Sequence, residues 1–185
     1  MLLTLKEEDM KLEIMFLNYL QTLRNPFLDQ LMLVITTLGD KKGIWLFIIF
    51  LLLLFKKTRK TGIIALAALI LEVIIGENIF KGLFRRTRPF EVNQAIELIV
   101  KKPRSFSFPS GHTGSSFAVA SAVFFAGERE MARGMFILAC LIAFSRMYLY
   151  VHYPSDIIGG IIVGVFVGYI INYIARICTT NNRRK

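Results

Sequence analysis

Three polar islands interrupt an otherwise oily chain of 185 residues. Lys81 is followed seven residues later by Arg88-Pro89. Pro109-Ser110-Gly111-His112 leads straight into an apolar run. Ser145-Arg146 is followed by His152 and, four residues on, Asp156, and His112 and His152 are the two histidines of the chain. These residue types suit an anion site with a base or nucleophile. Arginine presents a planar fork that matches phosphate oxygens, and lysine adds a compact charge. Ser110, Gly111 and His112 fall where a helix begins, so their backbone N–H groups offer a phosphate cradle, and Gly111 lets the backbone come close. Asp156 is placed to hold one imidazole nitrogen of His152 and leave the other to attack, with His112 as general acid for a leaving group.

Each island has an ordinary alternative. Basic residues mark helix ends, Pro-Ser-Gly makes turns, and Arg, His and Asp together can form a satisfied hydrogen-bond network. Their coincidence in one chain argues for chemistry. Two histidines and an aspartate could also bind zinc, but the three cations beside them repel a metal and attract an anion. No metal and no cofactor is expected.

The elements that must position these groups are membrane helices. Apolar residues make up 55% of the chain, and several long runs carry almost no charge. The net charge of +10 is collected between those runs, as in the loops of membrane proteins, so nucleic acid is not an expected partner. The fold class expected is all-α, an integral membrane bundle of about six transmembrane helices forming one domain over residues 1–185. Residues 1–25 form an interfacial amphipathic helix, and 61–175 form the motif-bearing core. The start of the chain has neither a basic region nor a small-residue cleavage site, so no cleaved leader is expected. Cys140 and Cys178 sit in apolar runs and are expected to serve packing.

Within residues 4–24, Thr4 and Glu7 suit a capping box. Leu12, Met15, Phe16, Tyr19, Leu20 and Leu23 recur at helical spacing, while Lys6, Glu7, Asp9, Lys11 and Glu13 are expected to stay wet. Asn25-Pro26 starts a helix that runs to Leu38 with Gly39 as its stop, and a second run covers 43–55. Both are short for a hydrocarbon core of roughly 30 Å. Lys56, Lys57, Arg59 and Lys60 mark the cytoplasmic side. A span over 61–80 carries Glu72 and Glu77, with Glu77 four residues before Lys81 in the favourable order for a helical ion pair. The basic 81–110 stretch, with Phe90, Ile96, Leu98, Ile99, Phe106 and Phe108 interleaved, suits a loop among lipid headgroups. Arg85 and Arg86 suit either a diphosphate or a basic membrane surface. Spans follow at 113–127, 134–150 and 155–175, the last with Gly160, Gly164 and Gly168 as a seam for close packing. Two spans separate the 81–112 loop from the 151–155 loop, so both loops emerge on one face, which is external if 56–60 is cytoplasmic.

Lys-x6-Arg-Pro, Pro-Ser-Gly-His and Ser-Arg-x5-His-x3-Asp in this order resemble the motifs of the type-2 phosphatidic acid phosphatase superfamily, over residues 61–175. The resemblance implies a metal-independent, multi-pass lipid phosphatase of the bacterial cell membrane, with its site on the extracytoplasmic face. It implies that His152 forms a phosphohistidine, Asp156 orients it, and His112 protonates the departing oxygen. Lys81, Arg88, Ser110, the Gly111 amide and Arg146 are implied to hold the phosphate oxygens. The partners implied are the lipid bilayer and a lipid phosphate. Undecaprenyl diphosphate leads, with phosphatidylglycerophosphate and phosphatidate as alternatives; no oligomeric state is implied. A lipid-phosphate transporter or scramblase is the reading from another class, drawing on Glu72, Glu77 and the glycine seam. A vanadate-using haloperoxidase shares the motifs but resembles soluble proteins.

Overall fold

The computed structural model describes residues 2–182, with side chains described from Met10 to Thr179. Among the described residues every regular element is helical. In order they are α1 (Leu2–Thr22), α2 (Pro26–Gly39), α3 (Gly43–Leu54), α4 (Arg59–Glu72), α5 (Lys81–Phe84), α6 (Pro89–Val92), α7 (Gly111–Phe125), α8 (Arg129–Tyr148) and α9 (Pro154–Asn182). A π-helical stretch, Val73–Phe80, joins α4 to α5 without a break, and a 3-10 turn, Asp40–Lys42, separates α2 from α3. Among the described residues three segments are long and apolar enough to cross a membrane: Arg59–Val92, Arg129–Tyr148 and Pro154–Thr179. The expected loop over 81–110 is therefore partly helical at its start.

α7 is the central helix, packed against α9, α8 and α4. Twelve of its 15 residues are buried, although it is rich in Ser, Ala and Gly rather than large side chains. Small residues let backbones approach closely, and in lipid such contact replaces the hydrophobic drive that water supplies. Gly160, Gly164 and Gly168 form the matching seam of α9. A Cβ on Gly164 would stand 2.5 Å from the Gly114 carbonyl oxygen, and one on Gly168 would stand 2.7 Å from the Ser121 Cβ. Asn172 closes the seam with side-chain N–H bonds to the carbonyls of Ala122 and Gly168, both 2.9 Å.

α1 lies across the end of the bundle where α8 finishes and α9 begins. Gln21 donates to the Tyr148 carbonyl at 2.8 Å, and the Tyr150 hydroxyl donates to Asn18 at 2.7 Å. Leu17 and Leu20 are buried against the bundle, while Leu12, Met15, Phe16, Tyr19 and Leu23 face outward. The helix is already formed at Leu2, so Thr4 is inside it rather than at its start; the side chains of the expected Thr4–Glu7 box lie outside the described residues. Glu13 is not solvated as expected. It accepts from Arg86 at 2.5 Å and from the Ser155 amide at 2.7 Å, which ties α1 to the head of α9.

The 26–38 run begins as expected, with the Asn25 side chain accepting from the Leu28 amide at 3.0 Å. α2 runs along the last turns of α8 and ends beside Ile142 and the start of α7. Asp29 accepts from the Tyr148 hydroxyl at 2.8 Å, and Gly39 backs onto the His112 ring. α3 then continues toward the far end, where Gly62 of α4 meets Leu52 and Leu53. At that far end Lys60 donates to Thr179 at 3.1 Å, so the basic 56–60 turn and the end of α9 lie together, opposite the motif loops. Cys140 and Cys178 are exposed on the outer surfaces of α8 and α9 rather than packed inside, because their positions fall on the faces turned away from α7.

The seam yields a stability test. In Gly164→Val the side chain meets backbone atoms that cannot swing aside, so a loss of about 1–3 kcal/mol is expected. It is read as a lowered thermal midpoint in detergent. Gly134→Ala, on an exposed position of α8 with no atom within 4 Å of the new Cβ, should leave that midpoint unchanged or raise it.

Candidate active site

The three islands converge at one end of the bundle on a cavity of about 530 Å³. Its lining includes Lys81 from α5, Arg88 just before α6, Gly111 and His112 from the start of α7, Arg146 from the last turn of α8, and His152 from the bend before α9. Ser110 and Asp156 are set behind this lining.

His152 is 2% exposed. Its Nδ1 lies 3.4 Å from Asp156 Oδ2, and its Nε2 lies 3.2 Å from a terminal nitrogen of Arg88. A guanidinium only donates, so Nε2 is the acceptor and the ring proton sits on Nδ1, facing the carboxylate. Burial pushes the imidazole down to about 3, and the Asp156 contact reverses only part of that. The ring is therefore neutral, with its lone pair on the nitrogen that meets the cations.

Asp156 is fully buried in the first turn of α9. Its Oδ2 accepts from the Ser107 hydroxyl at 2.5 Å and the Tyr153 amide at 2.9 Å, and its Oδ1 from Arg86 at 2.7 Å. Arg86 also lies over the Tyr153 ring, 4.0 Å from its centroid. That arginine is thus committed to Asp156 and Glu13 and is not free for a diphosphate, while Arg85 is the exposed residue of the pair.

Arg88 is anchored by carbonyls. It donates to Ser105 and Val151, each at 2.7 Å, and to Phe106 at 3.3 Å. The Ser105 hydroxyl also accepts from Arg88 at 3.2 Å and from Lys81 at 3.3 Å, drawing the two cations together. Arg146 donates to the Thr36 hydroxyl, and its buried Nε has no partner. The Ser110 amide donates to the Asp156 carbonyl at 3.0 Å, and its hydroxyl accepts from Thr113 at 3.0 Å. The Ser110 amide is therefore taken, which leaves the Gly111 and His112 amides as the backbone donors at the start of α7. They precede the first intrahelical bond, from the Gly114 amide to the Ser110 carbonyl at 2.8 Å.

Sequence reasoning missed Asp40. Its Oδ1 lies 3.0 Å from His112 Nε2, and that contact holds the Asp40 carboxyl below the usual carboxylate range. Glu77 also differs from expectation. It pairs with Lys42 at 2.7 Å rather than with Lys81, because its carboxylate rests over Gly111, where the turn after α2 brings Lys42. Glu72 is fully buried and accepts from Ser115 at 2.9 Å. Ser105, Ser107 and Asp40 carried no recognisable spacing; the Gly39-Asp40 stop after an apolar run is the one local signal that was present.

No group of three or more His, Cys, Asp or Glu able to hold a metal occurs among the described residues. The arrangement presents a neutral imidazole lone pair, a second imidazole with a carboxylate behind it, and three buried cations around the space between them. Such a site can bind a phosphoryl group and attack it in line.

Comparison with known proteins points to one family. The chain is 32% identical over 133 residues to an undecaprenyl-diphosphatase of Sulfolobus acidocaldarius, covering 72% of this chain and 64% of that one. It is 30% identical over 108 residues to undecaprenyl-diphosphatase BcrC of Bacillus subtilis, covering 58% and 52%. The chain thus spans less than two thirds of the length of either relative. Among solved structures it resembles a transmembrane PAP2 type phosphatidylglycerolphosphate phosphatase from Bacillus subtilis at 22% identity and a TM-score of 0.75, over 91% of this chain and 87% of that one. It also resembles LpxE of Aquifex aeolicus at 29% identity and a TM-score of 0.70, over 84% and 92%. Residues 61–179, from the start of α4 through the length of α9, match the PAP2 superfamily, and the chain is a membrane protein that belongs to that family.

Proposed function

We propose that this protein is a metal-independent lipid phosphatase working through a phosphohistidine, with undecaprenyl diphosphate as its leading substrate. The observation that carries the reading is the His152 ring. Its proton is held on the Asp156 side, and its Nε2, which accepts from Arg88 at 3.2 Å, lies at a cavity ringed by Lys81, Arg88 and Arg146. Nε2 attacks phosphorus, the bond to the bridging oxygen breaks, and His112 delivers a proton to that oxygen. The cations and the Gly111 amide hold the equatorial oxygens as their charge shifts. Water then attacks the phosphohistidine and releases orthophosphate.

Phosphatidylglycerophosphate and phosphatidate remain the alternative substrates; the two relatives named above as undecaprenyl-diphosphatases favour the diphosphate. In this reading the site faces the extracytoplasmic side of the cell membrane, since the basic 56–60 turn lies at the opposite end of the bundle. Against the transporter reading, Glu72 Oε2 accepts from Ser115, Glu77 pairs with Lys42, and the glycine seam is filled by α7.

His152→Ala should abolish phosphate release from undecaprenyl diphosphate in detergent, and a chelator should leave the wild-type rate unchanged. Turnover retained in that variant would remove the nucleophile from the mechanism. Asp40 is a positioning residue in this scheme, because its carboxylate favours the protonated form of His112. Asp40→Asn should lower kcat about 10- to 100-fold, a loss of the size general acid catalysis supplies. The alkaline limb of its pH profile should move to lower pH, since the negative charge that favours the imidazolium is gone. A purely structural role would lower the rate without moving that limb.

A further inference from the structure

The cavity carries more positive charge than one phosphoryl group requires. Seven lysines or arginines line it against two carboxylates, and both carboxylates are engaged, Asp40 with His112 at 3.0 Å and Glu77 with Lys42 at 2.7 Å. A phosphate monoester brings a charge of about −1.5 to −2. The buried group of Lys81, Arg88 and Arg146 already outweighs that. Lys41, Lys101 and Lys102 are left over.

These three share a position. His152, Arg88 and Arg146 are buried at the floor, whereas Lys41, Lys101 and Lys102 are exposed at the mouth of the same cavity. They come from two separate segments that both line the cavity, the 40–42 turn and the stretch that leads to Ser105. None of the three makes a hydrogen bond or ion pair with the described residues. Lys41 is also held in the left-handed backbone region, at φ 48°, next to Lys42 at φ 59°. Two consecutive non-glycine residues in that region are unfavourable, and such outliers gather at ligand clamps.

We propose that Lys41, Lys101 and Lys102 form an outer anion subsite that takes the lipid-side phosphoryl group of a diphosphate ester while the terminal phosphoryl group sits at His152. The assignment rests on the phosphatase reading above and adds the residues that hold the second phosphoryl group of such a substrate. When the terminal P–O bond breaks, the electron pair goes to the bridging oxygen, which becomes part of the departing lipid monophosphate and takes the proton from His112. The rim lysines then face that leaving group and neutralise the charge it gains. A monoester offers them nothing to hold.

The test uses the full-length protein in detergent and a chain-matched pair, farnesyl diphosphate and farnesyl monophosphate. In Lys101→Ala/Lys102→Ala, and separately in Lys41→Ala, the ratio of kcat/KM for diphosphate over monophosphate should fall about tenfold or more, chiefly through KM, as expected for lost charge-assisted hydrogen bonds. Lys101→Arg/Lys102→Arg should keep the ratio. Inorganic diphosphate should inhibit the wild type more strongly than orthophosphate, and the alanine pair should lose that preference. An unchanged ratio, or an equal fall on both substrates, overturns the subsite. So does a fall seen only in vesicles containing anionic lipid with the ratio constant, because the lysines then serve the bilayer. Wild-type hydrolysis of the monophosphate alone overturns the subsite and leaves the phosphatase reading standing. No phosphate release from either substrate overturns the phosphatase reading itself.

Discussion

The buried carboxylate of Asp156 is the constraint on which the rest of the site depends. A charge taken wholly out of water is costly unless it is paired and hydrogen-bonded, and in a membrane bundle no bulk water is at hand to do this. Here Ser107, the Tyr153 amide, Arg86 and the His152 ring all meet the two oxygens. Satisfying that one group pins four segments: the 105–108 approach to α7, the bend before α9, the arginine that follows α5, and, through Glu13, the N-terminal helix. The backbone joins in, because the Asp156 carbonyl accepts from the Ser110 amide and so sets the start of α7 against the start of α9. Removal of Asp156 would therefore disturb α1, α7 and α9 together, not only the imidazole.

From that point the glycine seam fixes the remaining geometry. α7 and α9 start at the same end and run in the same sense, with Gly160 against Ser110 and Thr113, Gly164 against Gly114 and Ala118, and Gly168 against Ser121 and Ala122. Register between the two helices is set by backbone contact, which leaves little room for slip. That register holds His112 and His152 on the same cavity although 40 residues of chain separate them. Stability and site geometry thus share one interface.

The sequence carried the chemistry better than the scaffolding. Lys81, Arg88, His112, Arg146 and His152 stand in recognisable spacings, each at the edge of an apolar run where a charge is conspicuous, and they do meet. Asp40, Thr36, Ser105, Ser107 and Glu13 were not legible as partners. Each is an ordinary residue whose role comes from a contact 17 to 142 positions away, and local spacing holds no record of that. Glu77 shows the same limit from the other side. Its spacing to Lys81 favoured a local pair, and a tertiary neighbour 35 residues distant took the contact instead. The long helices were legible, whereas the short α5 and α6 inside the expected 81–110 loop were not. The course of the 26–55 region was not, because two short apolar runs read alike whether they fold back or continue in one direction.

The turn between those runs shows what such a break is for. α2 and α3 have 14 and 12 residues, about 21 and 18 Å at 1.5 Å per residue, so neither alone matches a core of roughly 30 Å. A continuous helix would have been easier to form, and holding Lys41 and Lys42 in the left-handed region costs about 1–2 kcal/mol each. What the break achieves is an approach of polar backbone and side chains to the cavity. Asp40 reaches His112, Lys42 reaches Glu77, and Gly39 lets the chain pass close to the imidazole, where a Cβ would stand 2.8 Å from the ring. Irregular backbone within a membrane protein is tolerated where it lines a cavity rather than faces lipid. This turn meets that condition, since Gly39 through Lys42 all line the cavity. The strain at Lys41 and Lys42 thus falls where an unbroken helix would have left His112 without its carboxylate.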